Sequence, residues 1–209
     1  MLARFLALLA LALLPAAAAV QAGDVAAAHS VVARGSAGPP GSHPRTSLAV
    51  AYEPENPPTA RTGGFGEPTC QECHFDSDVN AGPGTIEVAL PDFVLPDTTY
   101  HVTVHLTHPG MRRAGFMLST RTPHGGQAGL LRATDERTTT TAAGDVVYVH
   151  HALGGTWVAG DSQSWTFEWS TDGLPHGAVV VVHVAANAGN NDASPFGDYV
   201  YAGEWVIGR

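Results

Sequence analysis

The stretch Thr99-Tyr100-His101-Val102-Thr103-Val104-His105-Leu106-Thr107 decides the fold class. Tyr100, Val102, Val104 and Leu106 alternate along it with Thr99, His101, Thr103, His105 and Thr107. Successive side chains of a strand point to opposite faces, so this period of two marks a strand with one buried and one solvated face. The β-branched and aromatic residues on the apolar side suit a pleated surface. His101 and His105 fall on the polar side and are expected to face solvent.

Working outward, strand patterns recur over residues 85–90, 114–120, 145–151, 164–170, 178–186 and 198–207, separated by Gly, Pro, Asn and Asp. Short strands punctuated in this way predict an all-β fold, an antiparallel β-sandwich of about seven to eight strands. Trp165, Phe167 and Trp169 share one face of their strand, which is a packing face. Ala178-Val179-Val180-Val181-Val182 is continuously apolar, as expected of a central strand covered on both sides. No helical period stands out after the first 22 residues.

The N-terminal part reads differently. Residues 1–22 carry Arg4, an apolar run from Phe5 to Leu14, Pro15, and a small-residue stretch ending in Val20-Gln21-Ala22. This is the pattern of a secretory signal peptide, too short in its apolar core for a membrane span. Residues 23–60 are rich in Ala, Gly, Pro and Ser and are expected to form a flexible linker. The ordered unit is expected over residues 61–209. The mature chain is therefore expected to be exported, periplasmic or extracellular, with no integral membrane segment.

The chain has 10 Lys+Arg against 19 Asp+Glu, a formal charge of −9, and no lysine. Nucleic acid and anionic lipid both require clustered cations, so neither is an expected partner. No Ser-His-Asp order, phosphate loop or paired-carboxylate motif appears, and no enzymatic activity is expected.

Both cysteines of the chain lie in Cys70-Gln71-Glu72-Cys73-His74. In an exported protein this spacing reads first as a covalent haem attachment site. Cys70 and Cys73 would supply two thioethers to haem c, and His74 would be the proximal iron ligand. A monohaem c-type protein of this kind transfers electrons or senses redox state, which implies a redox partner protein. The alternative is a local Cys70–Cys73 disulfide in a binding or structural module. Zinc needs further ligands, and adjacent Cys73 and His74 do not readily take two tetrahedral positions.

A set of further motifs runs in order along residues 61–207. They are Arg61-Thr62-Gly63, Thr107-His108-Pro109-Gly110, Ala114-Gly115-Phe116-Met117-Leu118, Tyr148-Val149-His150-His151, Trp165-Thr166-Phe167-Glu168-Trp169, Ala185-Ala186-Asn187-Ala188-Gly189-Asn190-Asn191-Asp192 and Gly197-Asp198-Tyr199-Val200-Tyr201. Together with the cysteine motif they resemble the bacterial exported module called the choice-of-anchor V domain, which is similar to the Reeler domain of animal extracellular proteins. The resemblance implies an Ig-like sandwich.

For the sixth iron ligand the chain offers His101, His105, His108, His150, His151, Met111 and Met117. His151 ranks first, since it ends a β run at the Gly154-Gly155 turn and matches the histidine of the resemblance. His108, at a strand end before Pro109, ranks second. Met117, in an apolar strand, ranks third. Asn187, Asn190, Asn191, Asp192 and Asp198 cluster near the C-terminus, and are read as turn formers rather than a calcium loop.

Overall fold

A computed structural model describes residues 57–208 of the chain. The expected signal peptide, and the expected linker up to residue 56, lie outside the described residues. Nine strands follow one another: β1 (Thr85–Ala89), β2 (Thr99–Thr107), β3 (Arg113–Arg121), β4 (Leu130–Ala133), β5 (Thr138–Ala143), β6 (Val146–His151), β7 (Ser162–Ser170), β8 (Val180–Gly189) and β9 (Tyr199–Ile207). The only helical elements among the described residues are three short 3₁₀ turns. None is long and apolar enough to cross a membrane.

The strands form a four-stranded sheet, β1-β2-β7-β4, and a five-stranded sheet, β5-β6-β3-β8-β9, all antiparallel in their pairings. The all-β sandwich is the fold observed. Two strands more than the seven apolar patterns are present, β4 and β5, and both lie at sheet edges. β4 has four residues, too few to show a period, and β5 (Thr-Thr-Thr-Thr-Ala-Ala) has no apolar alternation. Edge strands answer to one neighbour and partly to solvent, so their sequences are less constrained.

Between the sheets, Val102, Val104 and Leu106 of β2 meet Phe116 and Leu118 of β3, together with Trp165, Phe167 and Trp169 of β7. Phe116 packs 4.7 Å from Trp165 and 6.0 Å from Phe167, ring centroid to ring centroid. Both buried indoles find acceptors: Trp165 Nε1 donates to Gly155 O at 2.8 Å, and Trp169 Nε1 to Ala128 O at 3.0 Å. Large rings can occupy such a core only when their polar tips are satisfied in this way. Trp157, by contrast, is 62% exposed and lies under the Arg113 guanidinium, 3.8 Å from ring centre to Cζ.

β8 lies between β3 and β9 and is buried along most of its length. Val180, Val182 and Val184 face the core. Val181, His183, Ala185 and Asn187 point to the outer face of the five-stranded sheet, where Met117, Ser119 and Arg121 of β3 align with them through the β3–β8 register. That outer face is not left to solvent, because the chain from residue 57 to β1 lies across it. At the start of β8, Val180 and Val182 are buried in the core while Val179 and Val181 on the outer side are half-buried, so the apolar run is covered fully on one side and partly on the other.

Candidate functional site

The cysteine motif sits in this covering segment, packed on the outer face of β8. It lies on a sheet face over a central strand. Four sets of contacts hold the segment down. Thr62 Oγ1 donates to Glu67 Oε2 at 2.7 Å, and Glu67 Oε1 accepts from the Tyr148 hydroxyl at 2.5 Å and from the Arg121 guanidinium. Gly64 lies against the His183 ring so closely that a Cβ there would collide with it. Arg61 pairs with Glu72 at 2.5 Å, while its backbone N–H donates to Met117 Sδ at 3.4 Å. Asn80 exchanges side-chain bonds of 2.9 and 3.1 Å with the backbone of Ala202, capping the outer edge of β9 as a further strand would.

Burial pushes the Glu67 carboxyl up, but the bonds from Thr62, Tyr148 and Arg121, with the Arg121 charge, outweigh it and hold it below its ordinary value. The side chains of Arg121 and Glu67 are only 6% and 12% exposed, so this ion pair is largely shielded from water. Breaking a shielded pair by removing one partner strands the other charge.

The motif itself forms a tight turn. Thr69 caps it, its Oγ1 accepting from Gln71 N at 3.2 Å, and Cys70–Glu72 make one 3₁₀ turn. Cys73 N and His74 N both donate to Cys70 O, at 3.2 and 3.0 Å. One carbonyl therefore gathers both cysteines and the histidine. Both cysteines are free thiols, so the local disulfide held open as an alternative is not formed in this structure. Cys73 is exposed and Cys70 half-buried. Burial, with a smaller contribution from Cys73, pushes the Cys70 thiol up to about 12.

His74 turns away from the cysteines toward the β8–β9 loop, and its Nδ1 lies 2.6 Å from Asp198 Oδ2. A carboxylate only accepts, so Nδ1 is the donor. Asp198 is buried, and its other oxygen accepts from Asn190 N at 3.1 Å. The next residues clasp as well: Phe75 meets Phe196 edge to face at 5.4 Å, and Asp76 Oδ2 accepts from Gly197 N at 2.9 Å. Three successive residues after the second cysteine are thus tied to residues 196–198.

The candidate sixth ligands lie in different places. His108 points between the sheets: its Nδ1 is 2.7 Å from the Tyr201 hydroxyl and its ring stacks on Tyr199 at 4.5 Å. Both tyrosines belong to the core side of β9, opposite the face that carries the motif. Burial holds the His108 imidazole below its ordinary pKa, against an opposing pull from Asp161. The His151 ring lies beside β3, with Nδ1 at 3.0 Å from Phe116 N and 3.1 Å from Phe116 O. It takes the place of ladder bonds just where the β3–β6 pairing ends, at Met117↔His150. The closeness of Gly115 permits this; a Cβ there would stand 2.6 Å from the imidazole. Met117 is buried on the same sheet face as the motif, under Arg61.

The structure thus puts Cys70 and Cys73 in one turn with His74 directed to Asp198, places Met117 on their side of the sheet, sets His151 against the β3 backbone and puts His108 on the other side. Asp198, absent from the sequence-based ligand candidates, belongs to the site. Asp198 had been grouped with the turn-forming Asn and Asp residues, and nothing local in Gly197-Asp198-Tyr199 points to His74. His150, beside Met117, is fully buried, donates from Nδ1 to His151 O at 2.8 Å, and has no hydrogen-bond partner at Nε2 among the described residues. Among those residues no group of three or more His, Cys, Asp or Glu could hold a metal ion.

The residues present fit a c-type haem. Two free thiols share one turn, and a histidine directly after them has Nδ1 held by a carboxylate, the second-sphere arrangement common to metal-bound imidazoles. No protein-family model matches the chain, and no curated protein matches it. Among solved structures the chain is similar to the crystal structure of the Reelin-N domain of F-spondin, at 18% identity, over 66% of this chain and 96% of that chain, with a TM-score of 0.41.

Proposed function

We propose that this chain is an exported, non-enzymatic β-sandwich module that carries one haem c on the outer face of its five-stranded sheet and serves electron transfer or redox sensing. The observation that supports this is the 3₁₀ turn with two free thiols followed by a histidine whose Nδ1 is held by a buried carboxylate. When bound, the haem supplies one-electron chemistry at its iron. Cys70 and Cys73 would hold the haem through two thioether bonds. His74 would bind the iron through Nε2, and Asp198 would hold the ring in the required tautomer. As a second iron ligand Met117 would be favoured over His151, whose Nδ1 lies against the Phe116 backbone, and over His108, which lies on the core side, because Met117 shares the sheet face of the motif.

The test is expression with a cytochrome c maturation system. Haem staining that survives a denaturing gel, and a mass equal to polypeptide plus haem, are expected. Both should disappear on replacing Cys70 and Cys73 with alanine. A colourless product at the bare polypeptide mass rejects the reading.

The second reading is an extracellular, Reeler-like binding or structural module without haem, akin to the choice-of-anchor V domain. It is favoured by the sandwich core, which the two sheets close by themselves with the motif outside it. On that reading the cysteines close as a local disulfide after export, and the product is colourless with a mass two hydrogens below that of the dithiol.

A further inference from the structure

Phe75 and Phe196 are more exposed than aromatic residues of a well-packed domain usually are, at 55% and 54%. Flexible rings at a loop tip would be unremarkable, but these two are fixed. Their centroids are 5.4 Å apart at an interplanar angle of 86°. On either side of the pair, His74–Asp198 and Asp76–Gly197 lock the two loops together at 2.6 and 2.9 Å. The molecule therefore presents a paired, exposed apolar surface at residues that flank, in sequence, the imidazole read as the iron ligand and its carboxylate partner. Phe75 is the residue after His74, and Phe196 is two before the carboxylate that orients it. An exposed aromatic pair beside a candidate ligand offers apolar contact to whatever binds there.

We infer that Phe75 and Phe196 form the apolar wall that covers one side of the haem carried by Cys70 and Cys73. The inference rests on the haem reading above. The occupant is set by adjacency: a macrocycle whose iron sits on His74 Nε2 extends past the residues that flank His74, and an apolar macrocycle needs apolar neighbours. The wall would exclude water and dioxygen from that side, a lever by which a protein stabilises bound haem iron. Other exposed aromatic residues, such as Phe93, have no such relation to the motif.

The experiment uses haem-loaded full-length protein and compares wild type with Phe75→Ala/Phe196→Ala, Phe75→Leu/Phe196→Leu and a Phe93→Ala control. Haem staining and mass are recorded first. In the ferrous wild type, ring protons of Phe75 and Phe196 are expected to show large porphyrin ring-current shifts in NMR spectra. Air reoxidation of the reduced haem should be faster by about threefold or more in the alanine pair, near wild type in the leucine pair and unchanged in the control. A haem-stained wild type in which neither ring is shifted, or an alanine pair reoxidised at the wild-type rate, overturns the inference and leaves the haem assignment standing. Absence of haem stain in the wild type overturns both.

Discussion

His74 Nδ1 and Asp198 Oδ2 meet at 2.6 Å across 124 residues of chain, and this bond joins the cysteine turn to the loop between β8 and β9. Asp198 also accepts from Asn190 N, so it serves the turn and the histidine together. Replacement by alanine removes a buried charged acceptor from both, and is expected to cost about 2–3 kcal/mol in urea denaturation. Asp198→Asn keeps the size but no longer holds the Nδ1 proton as a carboxylate does. In haem-loaded protein that variant should weaken His74 ligation, so that added imidazole displaces it at about tenfold lower concentration, read from the Soret band. An unchanged displacement curve would show that Asp198 serves the fold only.

Glu67 gives the covering segment its pH dependence. Its folded pKa lies below the ordinary 4.5, because the Thr62, Tyr148 and Arg121 interactions outweigh burial. A depressed carboxyl contributes stability that is fully present above the unfolded value and is lost as pH falls through the folded one. The urea midpoint should therefore drop between about pH 5 and about pH 3 in wild type, and this part of the drop should vanish in Glu67→Gln. Glu67→Ala strands Arg121 and is expected to cost about 3–5 kcal/mol at neutral pH.

Gly115 is required by its neighbour. The His151 imidazole occupies the space a side chain would need, at 2.6 Å from an added Cβ. Gly115→Ala should displace the ring, break its bonds to Phe116 and destabilise the protein by about 1–3 kcal/mol, measured as a lowered thermal midpoint. The His151 ring resonances should shift in the same variant.

The two cysteines should react unequally in haem-free, reduced protein. Cys73 is exposed, whereas Cys70 is half-buried with its thiol pushed up to about 12. Thiolate is the reactive form, so near neutral pH iodoacetamide should label Cys73 first by tenfold or more, as judged by peptide mass spectrometry. Equal labelling would mean that the turn opens readily.

The strands that bury one face were legible in the chain because burial itself writes the period of two. Thr99–Thr107 and Trp165-Thr166-Phe167-Glu168-Trp169 lie where their alternation predicts, with the tryptophans in the core. β4 and β5 were not legible, being edge strands with little to bury. The cysteine motif was legible as chemistry through spacing alone. Its surroundings were not: the β3–β8 register that aligns Met117 with Ala185 is set by pairing between distant segments.

By itself the sequence determined the all-β class, the main strands and the spacing of the two cysteines and the histidine after them, since alternation and residue spacing are local properties. Only the tertiary structure decided that the motif lies over β8 rather than at an edge, that Asp198 orients His74, and that His108 points into the core instead. Those outcomes depend on which strand face each residue occupies after segments more than a hundred residues apart have paired. The opening feature of the fold, alternation along β2, carries no information about that.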